Sequence, residues 1–302
     1  MEQLSIFDAP QLLLGDYFKA IEKAEWNSIP RIIESIDKLN VDLPGWEVKK
    51  KFWKSELNRI KRILKKSPKE IALFWESFQE NLKKDSLKIE AKYLEKIFFS
   101  QIIQRLEKDA INYLTNTMHP AYCLIKLGKY SEASEMASKY CNEMEEDSLI
   151  RCYQAFCLFK MKNESSARTA LTFALFFDPF QVPIEFVFNP NIKKLLSALE
   201  IEYTDPKLLL ACWPFEAWID RLVEIPPNKQ FANKIKGIYA GNVFRKEIIN
   251  NVDRQIYFNH LLYLAEVARK NTKIISKEII DLRKKMNSVN PEAFKRYVKR
   301  IQ

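Results

Sequence analysis

Residues 121–127 read AYCLIKL, and residues 155–161 read AFCLFKM. The two stretches lie 34 residues apart, with Ala, Cys, Leu and Lys identical and the remaining positions exchanged for similar apolar side chains. The register continues beyond them. Ser131 aligns with Ser165 and Ala133 with Ala167, across a turn that reads LGKYSEA in the first copy and MKNESSA in the second. A fixed period of this length marks a supersecondary unit that buries its apolar face against copies of itself. Apolar residues at three- and four-residue steps make each half of the unit a helix, and Asp178-Pro179 ends the second copy because proline cannot continue one.

Outward from this pair the helical pattern persists. Helices are expected near 16–24, 29–39, 47–65, 69–83, 87–115, 118–127, 131–144, 148–161, 164–177, 206–223, 252–270 and 274–287. Ser67-Pro68-Lys69-Glu70 reads as a capping box with proline at the first helical position, and Asp205-Pro206 and Asn290-Pro291 are further start signals. The chain of 302 residues carries only 5 Gly, which leaves turn-rich β-architectures short of their turn residue. Gly15, Gly45, Gly128, Gly237 and Gly241 are also too scattered to form a glycine-rich phosphate cradle. The expected fold class is all-α, an array of antiparallel helical hairpins. Its expected parts are a tail at 1–14, a repeat region at 15–182 with best copies at 114–147 and 148–181, and a helical region at 183–302.

The repeated segment resembles the tetratricopeptide family over roughly 114–182. The matching positions are Ala121, Leu124, Gly128, Tyr130 and Ala133 in one copy, and Ala155, Leu158, Ala167, Ala174 and Pro179 in the next. Small residues at these places let two helix axes approach closely. The first copy departs from the family pattern at Tyr140, where a small residue is usual, and at the acidic run Glu143–Asp147, where a proline stop is usual. The resemblance implies a right-handed α-solenoid and a groove, lined by the first helix of each unit, that takes extended peptides. Tyr122 and Lys126 are followed in register by Phe156 and Lys160, an aromatic and a cation in each copy, which would suit an acidic peptide with apolar anchors. Packing of the two rings between successive units is the competing expectation.

At the N-terminus, Gln3-Leu4-Ser5-Ile6-Phe7 resembles the bacterial sliding-clamp-binding peptide and departs from it at Ile6, where leucine is usual. The resemblance implies that the Gln3 amide bonds at the rim of the clamp's groove while Leu4, Ile6 and Phe7 fill its pockets. The other use for those three side chains is to close the apolar end of the first helical pair.

Net charge is +10, which favours an acidic partner. Between 49 and 69 ten basic residues face only Glu56. Trp53, Leu57, Ile60 and Leu64 make an apolar stripe there, leaving Lys51, Lys54, Lys61, Arg62 and Lys65 on the opposite side of a helix. A second basic set comprises Arg283, Lys284, Lys285, Lys295, Arg296, Lys299 and Arg300. Together they make nucleic acid the alternative partner to a protein or peptide, with a solvated surface as the plainer reading.

Chemistry has little raw material. His119 and His260 stand alone, with no HExxH and no acid beside them, and are expected to be capping or exposed residues. Cys123 and Cys157 occupy one slot of the repeat and are expected to be buried packing residues. The five cysteines form no CxxC pair, no leader-like segment opens the chain, and no apolar run is long enough to cross a bilayer, so the expectation is a reduced, cytoplasmic, non-enzymatic protein with no cofactor, metal or membrane contact.

Overall fold

The computed structural model describes residues 8–107, 110–144, 146–241, 250–272 and 276–302, and among these the chain is helical with no strand. It divides into two compact units, one ending at Lys129 and the other beginning at Tyr130, whereas the sequence suggested a boundary near 182.

The first unit contains α1 (Asp8–Glu22), α2 (Ser28–Lys38), α3 (Trp46–Ile63), α4 (Pro68–Phe78), α5 (Lys88–Arg105) and α6 (Pro120–Lys126). Ile29, Ile33 and Ile36 give α2 one buried face. Trp53, Ile60 and Leu64 do the same for α3, so the apolar stripe read from the sequence does face inward. α4 starts on the expected capping box, in which the Ser67 side chain accepts from the Glu70 N–H and the Glu70 carboxylate accepts from the Ser67 N–H. One core runs from Tyr17 to Cys123, with Trp53, Trp75, Phe98 and Phe99 at its centre.

The helix expected over 87–115 stops at Arg105, because Leu106 is already extended. The following stretch is rich in Thr and Asn, whose side chains compete with helical bonding. The Thr115 hydroxyl accepts from the Met118 N–H and, with Thr117, donates to the Glu76 carboxylate on α4. Apolar periodicity alone does not reveal that alternative.

The second unit contains α7 (Tyr130–Glu143), α8 (Ser148–Lys160), α9 (Glu164–Phe177), α10 (Pro190–Glu202), α11 (Pro206–Ile219), α12 (Lys229–Gly241), α13 (Asn251–Asn271), α14 (Lys277–Val289) and α15 (Pro291–Ile301). α8 packs extensively on both α7 and α9, and α13 on α11, α12 and α14. Asn189, Asp205 and Asn290, each before a proline, cap α10, α11 and α15 through their side-chain oxygens. α10, α12 and α15 add to the expected helices. α10 forms because Ile192, Leu196 and Leu199 give it a buried face behind its proline start.

A chain so poor in glycine still ends several helices in a left-handed turn. Ala24, Gly128, Lys162 and Arg221 have φ of 56°, 76°, 64° and 60°. Each sits in the same pair of closing bonds. For Gly128 these are Gly128 N–H to the Ile125 carbonyl and Lys129 N–H to the Leu124 carbonyl, and for Lys162 they are Lys162 N–H to Phe159 and Asn163 N–H to Leu158. The two turns are 34 residues apart, so the repeat register extends into the backbone. Only glycine takes this conformation without a steric penalty of roughly 1–2 kcal/mol, partly offset by its freer unfolded state. Ala24→Gly, Lys162→Gly and Arg221→Gly are each expected to stabilise the unit that carries them by about 0.5–1 kcal/mol, and Gly128→Ala to destabilise by a similar amount. Urea denaturation of the four variants checks the opposite signs.

Candidate functional site

The repeat positions are sealed in the two cores. Ala121, Cys123, Ala133, Ala155, Cys157 and Ala167 are all 0% exposed, which accounts for small residues being needed there. Outside this seam the aromatic and cation pairs recur. Lys126 Nζ lies 5.3 Å from the Tyr122 ring centroid, and Lys160 Nζ lies 5.1 Å from that of Phe156. Each lysine thus covers an aromatic ring one turn earlier on its own helix while its ammonium stays exposed.

Neither ring is an empty anchor site. In the first unit, half-buried Tyr122 meets the edge of Phe99, and Lys126 pairs loosely with Glu95 at 4.0 Å. In the second unit, Phe156 packs against Tyr130 and Phe186, with ring centroids 6.1 and 5.3 Å away. Phe188 stacks on Phe159 at 4.5 Å, and Phe186 also meets Tyr153. The segment Pro183-Ile184-Glu185-Phe186-Val187-Phe188 therefore covers the outer aromatic row of α8, with Phe186 and Val187 buried. The expected peptide surface at Phe156 is covered by the chain itself.

The basic segment is sorted by direction. Lys49 turns inward and is buried, with its Nζ 2.5 Å from Glu90 Oε1 and donating also to the Ser86 carbonyl. Glu90 is fully buried and accepts from Tyr17 Oη as well, at 2.8 Å, while Trp53 Nε1 donates to that phenol. Burial, and then the Glu90 carboxylate, pushes the Tyr17 pKa well above the ordinary phenol value. Gly45 makes this junction possible. A side chain there would place its Cβ 2.6 Å from Ser86 Cβ, on a backbone already at φ +71°. Lys51, Lys54, Arg62 and Lys65 face outward and are exposed, and half-buried Lys61 donates to the Asn27 side chain at 2.8 Å.

The C-terminal basic set behaves differently. Arg296 makes a bidentate pair with Glu216, at 2.6 and 2.5 Å, and lies over Phe215. Arg300 stacks 3.9 Å above Trp218 and donates to the Ile219 carbonyl, and Arg283 lies over Tyr297 and donates to its hydroxyl. These three arginines are cross-links within the second unit, not free phosphate contacts, because the planar guanidinium stacks and bonds where lysine would stay hydrated. Trp213, Phe215 and Trp218 are buried core.

Two acids of the run at 143–147 have structural partners. Glu146 is almost wholly buried between Arg151 and Lys234, and the Asp147 side chain caps α8. Glu145, like the clamp-like residues Gln3, Leu4, Ile6 and Phe7, lies outside the described residues. Among the described residues no three His, Cys, Asp or Glu side chains gather to hold a metal ion, and no helix is long and apolar enough to cross a membrane. All five cysteines are buried thiols, and burial raises the pKa of each, to about 11 for Cys141 and Cys212 and to about 12 for Cys157.

His119 is a cap, as expected, but it is buried and not exposed. Its Nδ1 accepts from the Ala121 N–H and its Nε2 lies 2.6 Å from the Ile111 carbonyl, which assigns the proton to Nε2. His260 is buried inside α13, where an exposed position was also an expectation, and neither ring nitrogen has a hydrogen-bond partner. A cleft of about 280 Å³ beside Trp75, Gln79 and Lys92, and another of about 590 Å³ beside Arg168, Arg221 and Pro227, both lack a histidine. Burial decides and holds the His260 pKa down at about 4, opposed only in part by the carbonyls of Phe176 and Phe177, which lie near the ring without completing a hydrogen bond to it.

No family model, no curated protein and no solved structure matches the chain.

The His260 shift sets a pH dependence. The unfolded chain takes up this proton near its ordinary value of 6.5 while the folded chain refuses it down to about 4. Its contribution to stability is therefore complete above pH 6.5 and is lost as pH falls between those values, by roughly 3 kcal/mol in all. Denaturation curves for the wild type and His260→Leu across this window should diverge by that slope, the variant being the flatter, and parallel profiles would show that His260 does not titrate as described.

Proposed function

We propose that this chain is a non-enzymatic protein-interaction scaffold, built from tetratricopeptide-like antiparallel hairpins stacked as a right-handed α-solenoid. The observation that carries the reading is the 34-residue register, which joins the sequence copies, the paired left-handed turns at Gly128 and Lys162, the sealed small residues and the recurrent cation over an aromatic ring. Repetition at all of these levels is what stacked repeat units require, since each unit must present the same seam to its neighbour.

The segment lying on α8 supports the kind of ligand such a scaffold takes. Phe186 and Phe188, two residues apart, engage Phe156 and Phe159, so an apolar, extended peptide with aromatic anchors fits a face of this composition. The Gln3, Leu4, Ile6 and Phe7 peptide has the same character. In this proposal it is the element that the scaffold presents to the sliding clamp of a bacterial cytoplasm, with Leu4 and Phe7 as anchors.

Titration of the intact protein against a bacterial sliding clamp tests this directly. Saturable binding is expected, and the double substitution Leu4→Ala/Phe7→Ala is expected to abolish it while leaving the helical circular dichroism spectrum unchanged. Absence of binding by the intact wild-type chain would remove the clamp from the proposal.

A further inference from the structure

Beyond a protein-binding scaffold, we infer that the outer face of α3 is a docking surface for the phosphate backbone of a nucleic acid. Lys51, Lys54, Lys61 and Arg62 follow one another at helical steps on the side of α3 opposite buried Trp53 and Ile60, and Lys65 follows in the turn just beyond the Leu64 cap. From Lys51 to Arg62 the helix rises about 17 Å, a length over which duplex DNA presents about ten negative charges. The underside is fixed in the core by those buried side chains and by the Lys49–Glu90 pair, so the ridge is presented in one orientation.

Three observations set this ridge apart from a lysine-rich solvated surface. Several exposed cations elsewhere are matched by an acid three or four residues away, as in Lys19–Asp16, Lys83–Glu80, Lys88–Asp85 and Arg168–Glu164, while others, such as Lys207 and Lys277, have no ion pair among the described residues. Lys51, Lys54, Lys61, Arg62 and Lys65 have no ion-pair partner among the described residues, and repulsion among them costs stability unless an external anion neutralises it. Second, the acids close by are already engaged: Glu56 by Arg59, and Glu47 and Asp37 by Lys50. Third, α3 itself exposes no large apolar side chain, the nearest exposed ones in sequence being Val41 and Leu73 outside it, so the ridge carries no apolar anchors of its own to seat it in a lipid surface. A linear polyanion read through its phosphates fits what remains, and it is a surface for affinity without sequence preference.

Anisotropy titration of the full-length chain with a labelled DNA duplex of about 20 base pairs provides the test, because five phosphate contacts imply a slope of about −4.5 in log K against log salt. Doubling salt from about 0.1 to about 0.2 M should then weaken binding about 20-fold. Changing Lys51, Lys54, Lys61, Arg62 and Lys65 together to Gln is expected to abolish the binding while the melting temperature stays level or rises, as like-charge repulsion is relieved. The same five-charge reduction placed at Lys207, Lys277, Lys284, Lys295 and Lys299 is expected to leave most of the affinity and the slope in place. Equal loss in both variants would mean that net charge, not this ridge, attracts the DNA, and would overturn the inference. So would failure of the wild type to bind duplex at low salt, including the case in which it binds anionic phosphatidylserine vesicles instead.

Discussion

The buried pair between Lys49 and Glu90 is the constraint on which the arrangement of the first unit depends. A charged lysine and carboxylate withdrawn from water carry a desolvation penalty of several kcal/mol each, which only close pairing and further hydrogen bonds can offset. Lys49 reaches the Ser86 carbonyl as well as Glu90, and Glu90 also holds Tyr17, which in turn receives Trp53. Four segments thus meet at one ion pair: α1, α3, the turn before α5 and α5 itself. Gly45 admits the close approach at Ser86, and the rotation of α3 about its own axis follows from where Lys49 must sit. That rotation turns the remaining cations of the segment outward.

The second unit solves the same problem with arginine. Arg296, Arg300 and Arg283 lie over Phe215, Trp218 and Tyr297, Glu216 takes up the Arg296 guanidinium in bidentate geometry, and the buried Glu266 takes up that of Arg269 one turn along α13. Positive charge at the C-terminus is therefore spent on holding α15 to α11 and α14 to α15. The two basic stretches look alike in composition and differ in use, because guanidinium groups stack on rings and fork onto carboxylates, while ammonium groups on an unopposed helix face remain in water.

Local features were the most legible in the sequence. The capping box at Ser67 and Glu70, the Asp-Pro and Asn-Pro starts, the inward stripe of Trp53, Ile60 and Leu64, and the buried cysteines at matched positions all follow from neighbours within a few residues. Features set by distant partners were not legible. Nothing near Lys49 distinguishes it from Lys50 or Lys51, since Glu90 lies 41 residues away, and Arg296 finds Glu216 across 80 residues. The early end of α5 is likewise not marked in its own apolar pattern, and beyond it Thr115 reaches Glu76 on another helix. The cover on Phe156 comes from Phe186, whose segment reads as a proline-rich connection. At Lys162 the left-handed turn could have been read from its alignment with Gly128, because the repeat imposes a backbone that the residue type itself disfavours.

The claim that the Lys49–Glu90 pair, together with the buried stripe of Trp53 and Ile60, fixes the orientation of α3 is tested most directly by a double-mutant cycle on Lys49→Met and Glu90→Leu, followed by chemical denaturation. Removing either partner alone should cost roughly 3–5 kcal/mol by leaving a buried charge unpaired, and removing both should recover at least about 2 kcal/mol of the summed loss. Losses that add to within about 0.5 kcal/mol would mean that the two side chains are energetically independent, and the outward face of α3 would need another cause.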